Sequence, residues 1–331
     1  MAEVVMVPAF DEDEFGTLRD QMATALSIEE SSPASVADRA FDRALWGEHH
    51  PYGRPSQGTS EDLSELDADG LRQWWETFVR PETAVLYLAG DVQPEPAVAL
   101  ATRYFGDWEA WGDALERPLP TVAPPRARRI TLVDRPGAVQ SEIRAGHEGI
   151  TRRNPLHAPG AILTQIFGGS FSSRLNDVIR VQKGLTYGAR GGLASRRFGG
   201  EMTVSTFTKT PRTAETVQAV LDEVQRMVDE PPTERELTDA VSYLAGSFAG
   251  SLETPQAVAG RLWTLELNDL PADYWSTYLA RINGASSESL AEAAAALLDP
   301  SRLIMVVVGD ADAVQESLEE IAEVEVIKSG G

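Results

Sequence analysis

Apolar positions in residues 130–331 alternate between strand and helix periods. Short apolar or alternating runs predict strands at residues 130–133, 142–146 and 201–207. Apolar residues three and four positions apart predict helices at residues 159–167 and 213–228. A few strands followed by grouped helices indicate an α+β fold, with helices packed on one face of a mainly antiparallel sheet.

A similar order of elements occurs twice in the chain. Residues 81–91 and 300–310 are both apolar, strand-like runs that begin with proline and end with Gly-Asp. Three helix-like segments precede each run at matching distances, at residues 14–26, 32–39 and 71–79 in the first copy and at 236–248, 254–261 and 290–298 in the second. The shared order and spacing predict a duplicated domain.

The two copies predict a domain organisation. Residues 1–113 are predicted to be the C-terminal part of a first domain, residues 114–129 a linker rich in proline and arginine, and residues 130–331 a complete second domain. The first copy has no counterpart to most of residues 128–218. We therefore expect the natural chain to begin earlier, with roughly ninety or more further residues in its first domain.

Composition narrows the classes of partner. The chain of 331 residues is longer than a typical domain with one hydrophobic core, so its length is consistent with two domains. The net charge of −22 repels polyanions, so nucleic acid is not expected as a partner. The chain has no cysteine for disulfides or thiolate metal sites, and no apolar run long enough for a membrane-spanning helix.

Residues 168–188 combine a glycine turn, a short helix, a glycine stop and the start of a strand. Ser172 or Ser173 is suited to cap the helix. The apolar face of this helix, at helical spacing, consists of Leu175, Val178 and Ile179. Gly184 is suited to a left-handed helix exit, and a strand is predicted to start at Leu185.

Arg180 and Tyr187 lie on either side of this glycine stop. Both side chains can donate hydrogen bonds to a carbonyl oxygen, so the junction is a candidate binding site. A plainer interpretation stays open, in which the arginine complements the helix dipole and the tyrosine packs in the core.

Several short stretches carry a family resemblance: residues 168–175, 180–187, 133–138 and 50–53, with the two Gly-Asp strand ends. In these the chain resembles zinc peptidases of the pitrilysin/insulinase (inverzincin) type, particularly their bacterial branch similar to the mitochondrial processing peptidase. The resemblance implies two α/β halves arranged as a clamshell, with a peptide held between them.

The family's zinc site requires a His-x-x-Glu-His helix in the first half and a second glutamate further on. The chain contains no such motif, and the adjacent His49 and His50 lie in a loop and point in different directions. In the family, that second glutamate lies on a helix that begins with an arginine. Alignment of residues 19–20 with the start of that helix places Ala25 where the zinc-binding glutamate would be, one turn before Glu29 and Glu30. We therefore expect this chain to bind no metal and a partner subunit to hold the zinc.

The resemblance assigns Arg180 and Tyr187 to the backbone carbonyls of a bound peptide, with Gly168, Gly169 and Ser173 as possible helpers. Because Arg180 and Tyr187 are both present while the second zinc-binding glutamate is absent, the resemblance predicts a non-catalytic, substrate-binding subunit of a two-chain zinc metallopeptidase. Its partner would be a homologous zinc-bearing subunit in a heterodimer, or a second copy joined through the clamshell. Extended peptides would bind as an added β-strand.

Two alternatives remain. The chain is a single-chain zinc peptidase whose metal-binding segment lies outside this sequence, or a structural and binding subunit with no role in hydrolysis. The sequence leaves open the cleavage preference, the partner's identity, and whether the compartment is the bacterial cytoplasm or the periplasm.

Overall fold

The computed structural model describes residues 1–109, 119–120 and 127–328. The strands of this part are β1 (Arg129–Asp134), β2 (Gln140–Glu148), β3 (Ala189–Ser195), β4 (Gly200–Lys209), β5 (Ile304–Gly309) and β6 (Glu323–Lys328). They form one sheet in the order β3-β4-β2-β5-β1-β6. The pairs β2–β4, β3–β4 and β2–β5 are antiparallel, whereas β1 is parallel to β5 and β6. The α+β prediction is confirmed in this form, with a mixed sheet.

The described helices precede, connect and follow the strands. They are α1 (Ala2–Met6), α2 (Glu12–Ser31), α3 (Pro33–Trp46), α4 (Ser60–Ser64), α5 (Ala68–Phe78), α6 (Pro94–Phe105), α7 (His157–Phe167), α8 (Arg174–Asn176), α9 (Thr213–Asp229), α10 (Glu234–Gly250), α11 (Pro255–Leu267), α12 (Tyr278–Asn283), α13 (Ser287–Leu297) and α14 (Ala311–Glu319). Helices α2, α3, α5, α7, α9, α10, α11 and α13 confirm eight of the predicted helices. No helix among these is both long and apolar enough to cross a bilayer.

The sheet has helices on both faces, which corrects the prediction of a one-sided arrangement. On one face, Leu132 and Val307 lie in the main core with side chains of α7, α9, α13 and α14. On the other face, Val133 and Val306 pack against α3, which contributes Ala37, Phe41, Leu45 and Trp46. Strands β1 and β5 carry apolar residues at both odd and even positions, so each face requires a covering layer.

Residues 81–91 are not the buried strand that was predicted. Only a short 3₁₀ turn at Pro81–Thr83 is regular, and residues 84–89 pair with no strand among the described residues. Val85, Leu86 and Leu88 are between 42% and 53% exposed. An apolar run forms a strand only where a neighbouring strand offers hydrogen bonds, and here none does.

The predicted duplication stays a prediction. Its helices appear in the expected order in both copies, but the described sheet is built only from residues 129–328. Most of the predicted linker, residues 114–129, lies outside the described residues.

Candidate functional site

The glycine turn of the candidate site brings two backbone segments of the chain together. Helix α7 ends at Phe167, and the Gly168 carbonyl accepts a hydrogen bond of 3.3 Å from the Gly191 N–H of β3. A Cβ at Gly168 would collide with the Gly191 backbone nitrogen. The close approach that requires Gly168 is thus to the chain's own sheet.

Ser173 is the residue before α8, but its side chain does not form the predicted cap. Its hydroxyl accepts a hydrogen bond of 3.2 Å from the buried Asn176 amide. The same amide donates to the Ser170 and Ala189 carbonyls, and its oxygen accepts from the Ala189 N–H. Asn176 therefore ties the glycine turn to the start of β3, a role that nothing in the sequence pattern had indicated.

After α8 the chain continues as one π-helical turn, Asp177–Gln182, rather than as the predicted α-helix. Such turns are frequent at functional sites. Gly184 has φ +59°, which confirms the predicted left-handed exit. The turn carries Arg180, whose guanidinium carbon lies 3.8 Å from the centre of the Phe171 ring.

Arg174 anchors this segment to the helical layer, another role that the sequence did not reveal. Its guanidinium is buried and donates to both carboxylate oxygens of Glu236, at 2.6 and 2.8 Å, and to the Glu230 carbonyl. The hydrogen bond from Arg174, aided by Thr233, holds the pKa of Glu236 down at about 2. The carboxylate is therefore ionised at neutral pH, and the bidentate pair restrains the segment.

Tyr187 lies before the strand and outside the core. The strand begins at Ala189 rather than at Leu185, and residues 185–188, which include the buried Leu185, form an irregular approach to the sheet. The Tyr187 side chain is 82% exposed, and its ring centre lies 6.5 Å from that of Phe207 on β4. The plainer interpretation of Tyr187 as a core residue is wrong.

A cleft of about 750 Å³ opens beside these residues. Its walls include the glycine turn with Phe171, the segment around Tyr187, and side chains of β2, β3 and β4. Arg144, which also lines the cleft, pairs with Glu142 at 3.0 Å and with Asp38 of α3. Arg190 also lines the cleft and forms no ion pair among the described residues.

Arg180 and Tyr187 approach the cleft separately. Tyr187 lines it directly, whereas Arg180 stacks on Phe171, which lines it. Within the described residues no contact joins the two side chains, and neither donates a hydrogen bond. The ring contact covers the flat face of the guanidinium and leaves its N–H edge available. The site therefore presents two uncommitted donors, one on the cleft wall and one stacked on Phe171.

Comparison with known proteins identifies the family. The family model described as "Peptidase M16 inactive domain" matches residues 65–244, more than half of the chain. This chain belongs to the peptidase M16 family. A solved M16 inactive domain from Pseudomonas fluorescens superposes with a TM-score of 0.85 and 25% identity, over 93% of this chain and 73% of that one.

Two curated relatives of this M16 chain have different names. An uncharacterized zinc protease, YmxG of Bacillus subtilis, is 25% identical over 91% of this chain and 74% of its own length. A probable mitochondrial-processing peptidase subunit beta of Schizosaccharomyces pombe is 26% identical over 46% of this chain and 35% of its own length. The mycobacterial zinc-protease relatives are covered over only 60% or 61% of their length.

The described residues of this M16 chain do not fit a zinc ion. They contain no group of three or more His, Cys, Asp or Glu side chains placed to hold a metal. His49 is exposed, whereas His50 is buried against Trp46 and its Nδ1 accepts from the Tyr52 N–H. His147 also has both ring nitrogens bonded, to the Glu148 carbonyl and the Asp299 N–H. The imidazoles of His50 and His147 therefore have structural roles.

Ala25, the predicted degenerate ligand position, lies on the exposed side of α2. Nearby, the Glu30 carboxylate accepts a hydrogen bond of 3.1 Å from the Ser60 hydroxyl of α4. The equivalence of Ala25 to a zinc-binding glutamate stays a prediction.

Proposed function

We propose that this M16 chain is a non-catalytic, substrate-binding subunit of a two-chain metallopeptidase. The match to a domain described as inactive supports this, as does a relative named as a subunit of the mitochondrial processing peptidase. A homologous chain would hold the zinc. The observation that carries the proposal is the pair of uncommitted donors, Arg180 and Tyr187, beside an open cleft.

The chemistry of the pair suits peptide hydrolysis. A peptide carbonyl gains negative charge as it is attacked, and a cation with a phenol O–H stabilises that charge more than it stabilises the ground state. Tyr187 would donate from the cleft wall, while Phe171 orients the Arg180 guanidinium by stacking. Neither donor has to break an existing hydrogen bond to reach substrate.

The expected addition of a peptide β-strand meets an obstacle at the edge nearest the cleft. The outward N–H groups of β3 at Ala189, Gly191 and Leu193 already donate to Asn176, Gly168 and Thr164. A peptide strand would have to displace these partners, so we propose that extended peptides bind through the cleft and its two donors.

Activity with and without a partner tests the proposal. Alone, the chain should hold no stoichiometric zinc and hydrolyse no quenched fluorescent peptide. With a zinc-bearing M16 chain from the same genome it should support hydrolysis, and Tyr187→Phe should lower kcat by about tenfold or more. Tyr243→Phe, at an exposed tyrosine of α10, is the matched control.

Two outcomes would contradict the proposal. Unchanged turnover in Tyr187→Phe, with normal assembly, would favour a structural subunit. Stoichiometric zinc in the longest natural form of the chain would favour a single-chain peptidase, a candidate that the name of the Bacillus relative supports.

A further inference from the structure

Three arginines and three aromatic rings form a stacked cluster on the side of the fold that carries α10, α11 and α12. The Arg281 guanidinium lies 4.1 Å from the centre of the Tyr274 ring, and Arg152 lies 5.9 Å from the same ring. Arg152 also contacts Trp275 at 5.3 Å, while Arg261 lies 4.2 Å from Trp275 and 5.3 Å from Phe248. Arg281 and Arg152 thus share the Tyr274 ring, and Arg152 and Arg261 share the Trp275 ring.

None of these three arginines has a carboxylate partner within residues 1–109 and 127–328. Several arginines elsewhere in the fold, such as Arg144 and Arg174, pair with Asp or Glu, and even the adjacent Arg153 pairs with Asp269 at 2.6 Å. The chain carries 51 acidic residues, so three unpaired cations together are not explained by a shortage of carboxylates. Ring contacts stabilise each cation but leave the total charge uncompensated.

The positive potential has effects on neighbouring groups. Burial lowers the pKa of His157 to about 4, and the charges of Arg152 and Arg281 add to this effect. Burial, followed by the charge of Arg152, also lowers the pKa of Arg261. His157 is therefore neutral at physiological pH, and the cluster holds three positive charges.

The cluster also retains hydrogen-bond donors. The Arg152 Nε–H is buried without a partner, an arrangement that costs free energy unless an acceptor is bound. Arg281 is exposed and uses one Nη2 donor on the Tyr274 carbonyl at 2.6 Å, and Arg261 uses Nη2 on the Ser251 hydroxyl. The remaining N–H groups are available to an anion that reaches the cluster.

We propose that Arg152, Arg261 and Arg281 form a binding site for a multivalent phosphate-type anion. The guanidinium fork matches the geometry of phosphate oxygens, and three cations match a group such as pyrophosphate better than a single carboxylate. Because the protein as a whole has a charge of −22, anions do not bind to it unspecifically. The site is separate from the cleft, so it does not depend on the proposed peptidase role.

Calorimetric titration of the full chain with sodium pyrophosphate at constant ionic strength tests the site. We expect saturable one-to-one binding, weakened about tenfold or more by Arg281→Gln or Arg152→Gln. The matched control is Arg153→Gln. Arg153 lies in the same loop as Arg152, but it already has a carboxylate partner. Arg281→Lys should bind pyrophosphate with an affinity between those of the unchanged protein and Arg281→Gln, because lysine keeps the positive charge but lacks the forked guanidinium donors.

Orthophosphate and ATP distinguish the source of the phosphate groups. ATP binding no tighter than pyrophosphate identifies free phosphates as the ligand, whereas tighter binding with a change in Trp275 fluorescence identifies a nucleotide. A thermal melt without ligand separates loss of the site from misfolding: Arg281→Gln loses a hydrogen bond and a ring contact but also relieves like-charge repulsion, so the variant should still unfold in one cooperative transition. Absence of saturable binding, or equal affinity in Arg281→Gln and Arg153→Gln, would overturn the proposal.

Discussion

Helices α3 and α11 begin with the same sequence pattern but differ in burial: in the described part of the chain, α3 is packed in a core and α11 is not. Both begin with a hydroxyl cap followed by proline, at Ser32 in α3 and at Thr254 in α11. At the same distance from that proline, Phe41 of α3 is 3% exposed and Trp263 of α11 is 55% exposed. Within the described residues α3 buries four side chains, and α11 buries none.

The difference shows that an apolar helix face indicates only a capacity for burial. The partner of α3 is the apolar outer face of β1 and β5, which belong to the other predicted domain. Burial of one large apolar side chain contributes about 1.5–3 kcal/mol, so this layer supplies much of the attachment between the two parts of the chain. The described residues offer α11 no such surface.

Phe41→Ala should have the largest effect. Removing a buried ring leaves a cavity, and we expect the free energy of unfolding to fall by about 3–5 kcal/mol in urea denaturation. The matched Trp263→Ala should lower it by less than about 1 kcal/mol, since its side chain is mostly exposed. Equal losses in the two variants would mean that α11 has a covering partner in solution.

Asp42→Asn should give a smaller, pH-dependent gain. Burial, with a further contribution from Glu201, raises the pKa of Asp42 on α3 to about 6. The native state therefore binds this proton more tightly than the unfolded state, and the group weakens stability as pH rises from about 4 to 6. Above pH 6 we expect Asp42→Asn to be more stable by roughly 1 kcal/mol, after solvent screening of this partly exposed group.

Thermal denaturation between pH 4 and 8 checks the pH prediction. The gain should vanish near pH 4, where the carboxyl is protonated in the native state. Glu266→Gln on the exposed face of α11 is the control and should show no such trend. A gain that is constant with pH would show that Asp42 acts through packing instead of ionisation.

The helix caps should have the smallest effects, and these should be equal. The Ser32 hydroxyl accepts from the Ser35 N–H at 3.4 Å, and that of Thr254 from the Ala257 N–H at 3.2 Å. Because a cap is a local interaction, Ser32→Ala and Thr254→Ala should each cost about 0.5–1 kcal/mol in denaturant unfolding. A large cost in α3 alone would show that its cap also orients the helix on the sheet.

Local features of the candidate site were predictable from the sequence. Gly184 has the left-handed conformation that a helix exit requires, and Arg180 and Tyr187 flank it as expected. The stacking of Arg180 on Phe171 was not predictable, because it depends on where the π-helical turn places the guanidinium. Asn176 was missed for a similar reason, since its partners come from segments that the sequence pattern does not connect.

The strand predictions divide in the same way. The apolar run of β5 is buried between two neighbouring strands, whereas the similar run at residues 81–91 is exposed and unpaired. Strand formation requires hydrogen-bond partners from distant parts of the chain, so equal local patterns gave unequal results. Helices satisfy their own backbone groups, which is why most predicted helices were confirmed.

The sequence alone determined the elements whose hydrogen bonds are local: the helices, their caps, the glycine exit and the acidic surface charge. Only the tertiary structure decided which faces are covered, as the burial of Phe41 and the exposure of Trp263 show. It also decided that Tyr187 borders a cleft while Arg152, Arg261 and Arg281 gather around shared rings. The physical reason is that burial and charge pairing depend on contacts between residues far apart in the chain.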